Sequence, residues 1–540
     1  MQHRPRWSAQ LEGEANVSIF GEIEGPSATR EGMGLIKLKV VGMGMGTADP
    51  RVVMHEMDSA EIGVERSDRV SVVTEGVPHS AMVCLTSTLA APGELLISEG
   101  LMASMGLSGG EEVTVTFCPR PASVRHIRRS MDRSPLSREE VSTVMRDIML
   151  SRISPTETAA WLTALHINGL SEDEVLHVTE EMVASGITLQ FDRGPVFDFH
   201  SIGGVPGNKV TPLVVSIAAA AGLLIPKTSS RAISSACGTA DFVEVFCDVE
   251  LGAERLKAVA QETGGALAWG GAMNLTPVNG AIIETLYPLG IDPPDLMMAS
   301  IMSKKMAMGA NRLVMDIPCG PGAKVETLSG AKGMAQKFIA LGERLGIHVD
   351  CALTDGRQPV GWAIGPGPEA RECILALEGH NGLQDVREKA IGLAGMILDM
   401  GGANDGPRSA ERLVDGGEAL AKFQEIVAAQ GGRADLSSAD IPLGREKAEV
   451  VSPRSGYVNS IDNKELVTVA RAAGAPRDKG SGIVLEKKTD SRVEEGELLF
   501  TIYADNADRA ERALGAAERL RPLKVGGLLL ERTLRRPGML

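Results

Sequence analysis

Residues 196–230 read VFDFHSIGGVPGNKVTPLVVSIAAAAGLLIPKTSS. A strand-like VFDF runs into a glycine-rich loop, an apolar helix follows, and the strand-like LLIP leads into a hydroxyl-rich segment. Strand, loop, helix and strand in that order make a crossover unit, and crossover units build parallel sheets. The alternation continues downstream. RLVMDIP follows the helical LMMASIMSKKMAMG, and IHVDCALTDG follows MAQKFIALGERLG. Residues 196–440 are therefore expected to form an α/β domain on a mostly parallel sheet flanked by helices, with ligands beyond the C-terminal strand ends.

On the N-terminal side, residues 1–32 mix charge, Gly and Ser without a period and are expected to be a mobile extension. Short alternating runs (LIKLKVV, VSVV, VTVTF) separated by Gly, Pro and Asp predict a small β-barrel over 33–118. Residues 119–195 are read as a helical subdomain. Ser137 with Glu140, Ser154 with Glu157 behind Pro155, and Ser171 with Glu174 each place a capping hydroxyl three residues before a carboxylate, while Gly169 and Gly186 stand where helices should stop. The basic RHIRRSMDR at 125–133 is read as a solvated linker rather than an anion patch. A later segment near 280–312 is expected to join this subdomain. On the C-terminal side, AEVVSP, SGYVNSID, GIVLEKK and EGELLFTIY, with the charged helix ADRAERALGAAERL, predict a small α+β domain over 441–540.

Composition bounds the function. At roughly 100–200 residues per domain, 540 residues imply three or four domains. Hydrophobic residues at 43% exclude wholesale disorder. A net charge of −15 opposes attraction to a nucleic-acid backbone or an anionic membrane, and 3% aromatics supply few stacking platforms, so neither partner is expected. Seven cysteines, an odd number with no C-x-x-C pair, argue against a disulfide framework and a thiolate zinc site and for a reducing cytoplasm. No apolar h-region and no membrane-length apolar stretch is visible, so neither export nor a membrane span is expected.

Three segments have residues that a core does not explain. His200–Lys209 contains glycines that let backbone N–H groups approach an oxyanion; a plain tight turn is the alternative, and the spacing is not that of a P-loop. Lys227–Asp241 holds six hydroxyls and an Arg within thirteen residues, many donors for phosphate oxygens, against a Ser-rich capped loop as alternative. The third runs from Asp292 through Ser300 and Lys304 to Lys324 in CGPGAK; lysines near strand ends are usually solvated.

HSIGGVPGNK and KTSSRAISSACGTAD resemble the thymidine phosphorylase family, and within it the AMP phosphorylases of archaea. Thymidine phosphorylases carry H-S-T-G-G-V-G-D and S-G-R-G-L-G-H-T-G-G-T instead. The resemblance covers roughly residues 33–505, including an N-terminal β domain that the nucleoside phosphorylases lack. It implies phosphorolysis: inorganic phosphate attacks C1′ of AMP, adenine leaves, and ribose 1,5-bisphosphate forms. It implies AMP contacts at Gly204, Ser230, Arg231, Ala232, Ile233, Ser234, Ser235, Thr239, Ser300 and Lys324, and inorganic phosphate contacts at Ser201, Ser229 and Thr239. Asp292 would donate a proton to the base and His200 would stand beside the sugar, as the two catalytic residues. The alternatives are a helix-capping Asp292 before Pro293 and a satisfied buried imidazole for His200. No cofactor and no metal is implied, inorganic phosphate being a co-substrate, and relatives of this kind form homodimers or larger homo-oligomers.

One position departs. The family motif begins D-K-H-S, with the lysine on the phosphate, whereas this chain reads Asp198-Phe199-His200-Ser201. Either another cation such as Lys209 or Arg231 compensates, or the phosphorylase is weak. A pyrimidine nucleoside phosphorylase and a nucleotide-binding or assembly protein with weakened catalysis are the competing readings. Ser234 and Ser235, where the nucleoside enzymes have Gly and His, favour a nucleotide.

Overall fold

The computed structural model describes residues 34–47, 49–232 and 235–527. The expected extension at 1–32 lies outside them, as do Ile233 and Ser234. The described residues form two compact units, one of the chain up to Thr188 with Leu275–Ala307, the other of Leu189–Asn274 with the chain from Met308 onward. No described helix is long and apolar enough to cross a membrane.

The first unit starts with a closed barrel of β1 (Leu35–Gly42), β2 (Arg51–His55), β3 (Arg69–Thr74), β4 (Val77–Thr86), β5 (Glu94–Ile97) and β6 (Glu112–Cys118), in the order β1-β5-β2-β4-β3-β6. Period-2 patterning drives it: Leu38 and Val40 are buried while Lys37 and Lys39 are exposed, and Val70, Val72, Val113 and Val115 repeat the alternation. Closure through β6 pairing with β1 leaves no open sheet edge.

Helices Arg138–Met149, Pro155–Asn168 and Glu172–Ala184 follow. Each opens with a reciprocal capping box, Ser137 with Glu140, Ser154 with Glu157 and Ser171 with Glu174. A capping hydroxyl satisfies an orphan N–H group and is worth about 1 kcal/mol. The buried stripes Val141-Val144-Met145-Ile148 and Val175-Val178-Met182 have helical spacing and pack on each other's helices. The basic stretch at 125–133 is no linker: Ser123–Met131 is itself a helix that buries Ser123, His126, Ile127 and Ser130 and leaves Arg125, Arg128 and Arg129 in solvent. Small and polar buried residues disguised the i, i+3, i+4, i+7 face. Leu275–Ala307 contributes helices Pro277–Leu289 and Pro294–Ala307, tied in by Asp295, whose Oδ2 accepts from the N–H of Leu170 at 3.1 Å.

In the second unit β7 (Phe197–Ser201), β8 (Ile225–Ser229), β9 (Gly265–Trp269), β10 (Arg312–Cys319) and β11 (His348–Asp355) are paired in parallel, β11-β10-β7 and β8-β9. A parallel bridge Val196↔Leu224, with Phe197 N–H donating to Leu224 at 2.8 Å, links the two groups. β10 is buried from Leu313 to Pro318, as a strand covered on both faces must be. The stretch from 213 to 226 divides into the helix Thr211–Ala220, buried almost all round, and β8. Strands Ala363–Ile364, Gly482–Leu485, Leu498–Ala504 and Glu446–Val451 form a further sheet, a second has Arg492–Val493, Gly456–Ile461 and Leu523–Gly526, and helices Asn463–Ala472 and Ala507–Leu520 complete their core.

Candidate functional site

The His200–Lys209 segment, the Lys227–Asp241 segment and the Lys324 end of the third segment lie at or beyond the C-terminal ends of β7, β8 and β10. Ser201 is the last residue of β7 and stands in register with Asp316 of β10; His200 pairs with Met315. The chain then turns through Gly203, Gly204 and Gly207, all at positive φ. Gly204, at φ +90°, lies against the turn after β10: a Cβ there would be 2.6 Å from the Lys324 nitrogen and 3.0 Å from its Cγ. Two segments 120 residues apart in sequence thus meet at a contact that only glycine permits.

The loop after β8 is closed by Asp241. Its Oδ2 accepts from the N–H groups of Ala232 (2.7 Å) and Gly238 (2.8 Å), so both ends of the Ser230–Gly238 loop hang on one carboxylate oxygen. Gly238 packs so tightly that a Cβ would be 2.6 Å from the Ser230 carbonyl oxygen and 2.8 Å from the Ala232 nitrogen. Ser229 ends β8 and Thr239 begins the short helix Thr239–Val243. The Ser235 hydroxyl donates to the Cys237 carbonyl at 3.2 Å.

Arg231 is built in firmly. Its guanidinium donates to both Glu244 oxygens (2.8 and 2.5 Å) and to Glu250 (3.0 Å), and its face lies 4.8 Å from the Trp269 ring centre. The Arg231 hydrogen bond, with a further one from Lys479, holds the Glu244 carboxyl down at about 2. Lys209 is wholly buried, donating to the Val360 carbonyl at 2.7 Å and pairing with Glu372 at 2.8 Å. Both cations considered as replacements for the missing lysine are therefore engaged with carboxylates. Phe199 is fully buried in the core, in register with Val314. Two cations on or beside these strands were given no role from the sequence, Lys227 although it opens the second segment. Lys227 is buried in the middle of β8, its Nζ 3.7 Å from Asp198 Oδ1. Lys389, from the helix Gln384–Met400, places its Nζ 2.9 Å from Asp316 Oδ2. The D-x-H-S context of Asp198 could have prompted a search for the first; Lys389 has no local signal.

Asp292 and Ser300 belong to the first unit. Asp292 lies two residues before the helix Pro294–Ala307, which carries Ser300. Lys304, one turn on, donates to Ser300 Oγ at 3.1 Å, and burial lowers its ammonium to about 8. Ile233 and Ser234 lie outside the described residues. Among the described residues no cluster of His, Cys, Asp and Glu could hold a metal ion.

Residues 124–186 match the helical bundle domain and residues 193–420 the a/b domain of the glycosyl transferase family, and 457–523 match the pyrimidine nucleoside phosphorylase C-terminal domain. The AMP phosphorylase of Methanococcoides burtonii is 42% identical over 92% of this chain and 99% of its own. That of Thermococcus kodakarensis is 43% identical over the same shares. The chain belongs to the AMP phosphorylase family. A further AMP phosphorylase, from Methanocaldococcus jannaschii, is 44% identical over 87% of this chain and 93% of its own. Among solved structures, anthranilate phosphoribosyltransferase from Thermus thermophilus covers 57% of this chain at 21% identity and a TM-score of 0.48. The matches to the AMP phosphorylases reach across the barrel as well as the bundle, the α/β domain and the C-terminal domain, so membership of that family covers the full architecture.

Proposed function

We propose that this chain catalyses phosphorolysis of AMP by inorganic phosphate, releasing adenine and ribose 1,5-bisphosphate. It is a pentosyltransferase reaction. The match to AMP phosphorylases along nearly the whole chain carries the reading. The packing of Gly204 on Lys324 and the closed Ser230–Gly238 loop, both at the C-terminal ends of parallel strands, support it.

Phosphorolysis needs a dianionic nucleophile held for attack at C1′ and a proton for the leaving base. In this reading Ser201, Ser229 and Thr239 hold inorganic phosphate, while Gly204, the 230–235 loop, Thr239, Ser300 and Lys324 hold AMP. Asp292 donates the proton and His200 stands beside the ribose. No cofactor takes part, phosphate being a co-substrate. We place the enzyme in the cytoplasm as a homodimer or larger homo-oligomer, as the scattered cysteines and the family suggest.

Incubation with phosphate and, in turn, AMP, adenosine and thymidine tests the reading by release of free base. Adenine from AMP, with little base from either nucleoside, is expected. Thymine release without adenine release from AMP would move the assignment to a nucleoside phosphorylase. AMP binding with no base released from any substrate would make the chain a nucleotide-binding protein, the reading that the buried Phe199 motivates.

A further inference from the structure

The hydroxyl of Ser201 is held by a chain of groups whose hydrogen-bonding polarity is set at its far end. Ser201 Oγ accepts from Asn208 Nδ2 at 3.0 Å, and the same amide nitrogen reaches Asp316 Oδ2 at 3.3 Å. Asp316 is fully buried. Its Oδ1 accepts from Thr354 Oγ1 at 2.5 Å, its Oδ2 lies 2.9 Å from the Lys389 ammonium, and that ammonium also donates to Thr354 Oγ1 at 3.1 Å.

An ammonium only donates, and the carboxylate paired with it only accepts. The Asn208 amide must then turn its nitrogen towards Asp316, because its oxygen there would face a negative charge. With the nitrogen placed, Ser201 Oγ is an acceptor within the protein, and its one hydrogen is left for an acceptor outside this chain of groups. A serine with no fixed partner can donate or accept; with one lone pair taken by Asn208, this one keeps its hydrogen for a ligand, which suits an oxyanion. Lys389 also offsets the Asp316 charge, which would otherwise repel an anion at Ser201.

We propose that Asn208 is a positioning residue that, anchored by Asp316 and Lys389, fixes the Ser201 hydroxyl as a donor to inorganic phosphate. The proposal rests on the reading of Ser201 as a phosphate contact given above.

A double-mutant cycle of Asn208→Ala and Ser201→Ala tests it, with the KM for phosphate and for AMP measured separately. Asn208→Ala should raise the phosphate KM about 10-fold, the scale of a lost hydrogen bond to a charged group, and leave the AMP KM within about twofold. In the Ser201→Ala background the same change should add less than about twofold, because the residue acts through that hydroxyl. Asn208→Asp, of the same shape but without the donor, should do no better than Ala. Additive effects, an equal rise in both KM values or an unchanged phosphate KM would overturn the proposal. Should Asn208→Ala not fold, Asn208→Ser takes its place in the cycle. Direct calorimetric titration with inorganic phosphate keeps the two readings apart. If the parent protein binds phosphate but cleaves no AMP, the AMP assignment fails while the cycle is still decided on phosphate Kd.

Discussion

At the scale of single residues, the site depends on contacts that leave no room. Gly204 combines a positive φ with backbone 2.6 Å from where a Cβ would be. Gly204→Ala must move either its own loop or the Lys324 turn, at a cost of about 1–3 kcal/mol in strain. We expect kcat/KM for AMP to fall about 10- to 100-fold, with the loss mostly in KM for AMP rather than for phosphate. Steady-state kinetics with each substrate varied checks this; a variant with unchanged KM for AMP would show that the Lys324 contact does not shape the nucleotide site. Residue identity was legible in the motifs, but commitment was not. Arg231 reads in sequence as a cation free for phosphate, yet Glu244 and Glu250 occupy its donors, 13 and 19 residues further on. Lys209 likewise reads as a loop lysine and is a buried partner of Glu372, 163 positions away.

At the scale of elements, Asp241 holds the two ends of the loop after β8. Asp241→Ala would leave the N–H groups of Ala232 and Gly238 without their acceptor, each costing about 1–3 kcal/mol if it stays buried. The loop should loosen, giving a lower thermal midpoint and a raised KM for AMP. An unchanged KM with a lowered midpoint would confine Asp241 to stability. Local signals of this size were readable where they recur: the three Ser-x-x-Glu boxes mark the three helix starts at which they were expected, because capping involves only neighbours in sequence. The alternation of the barrel strands was equally plain. The helix Ser123–Met131 was missed because its buried face is built of Ser, His and Ile between arginines, a pattern that hydropathy scores as solvated. The Asp316–Asn208–Ser201 chain could not be read at all, since Asn208 and Asp316 are brought together only by the pairing of β7 with β10.

At the scale of the whole molecule, stability should carry the mark of one buried acid. Burial, opposed in part by Lys209, raises the Glu369 carboxyl from 4.5 to about 7. The folded state therefore holds a proton that the unfolded state releases above about 4.5. This contribution to stability is fully present below that pH and is lost as the pH rises through about 7. Glu369→Gln keeps a neutral acceptor for the Gly365 N–H and removes the titration. Between pH 5 and pH 8 the thermal midpoint of the parent should fall further than that of the variant, at fixed salt. Parallel curves would mean that Glu369 titrates alike in both states.

The claim that joins these scales is that inorganic phosphate, not water, takes the ribose phosphate from AMP. The most direct measurement is phosphorus NMR of AMP and phosphate incubated with the full chain. The account predicts that inorganic phosphate is consumed one for one with AMP, and that a product with two phosphorus resonances, ribose 1,5-bisphosphate, appears as adenine is released. Adenine release with ribose 5-phosphate as the product and inorganic phosphate unconsumed, or no adenine at all, would contradict it.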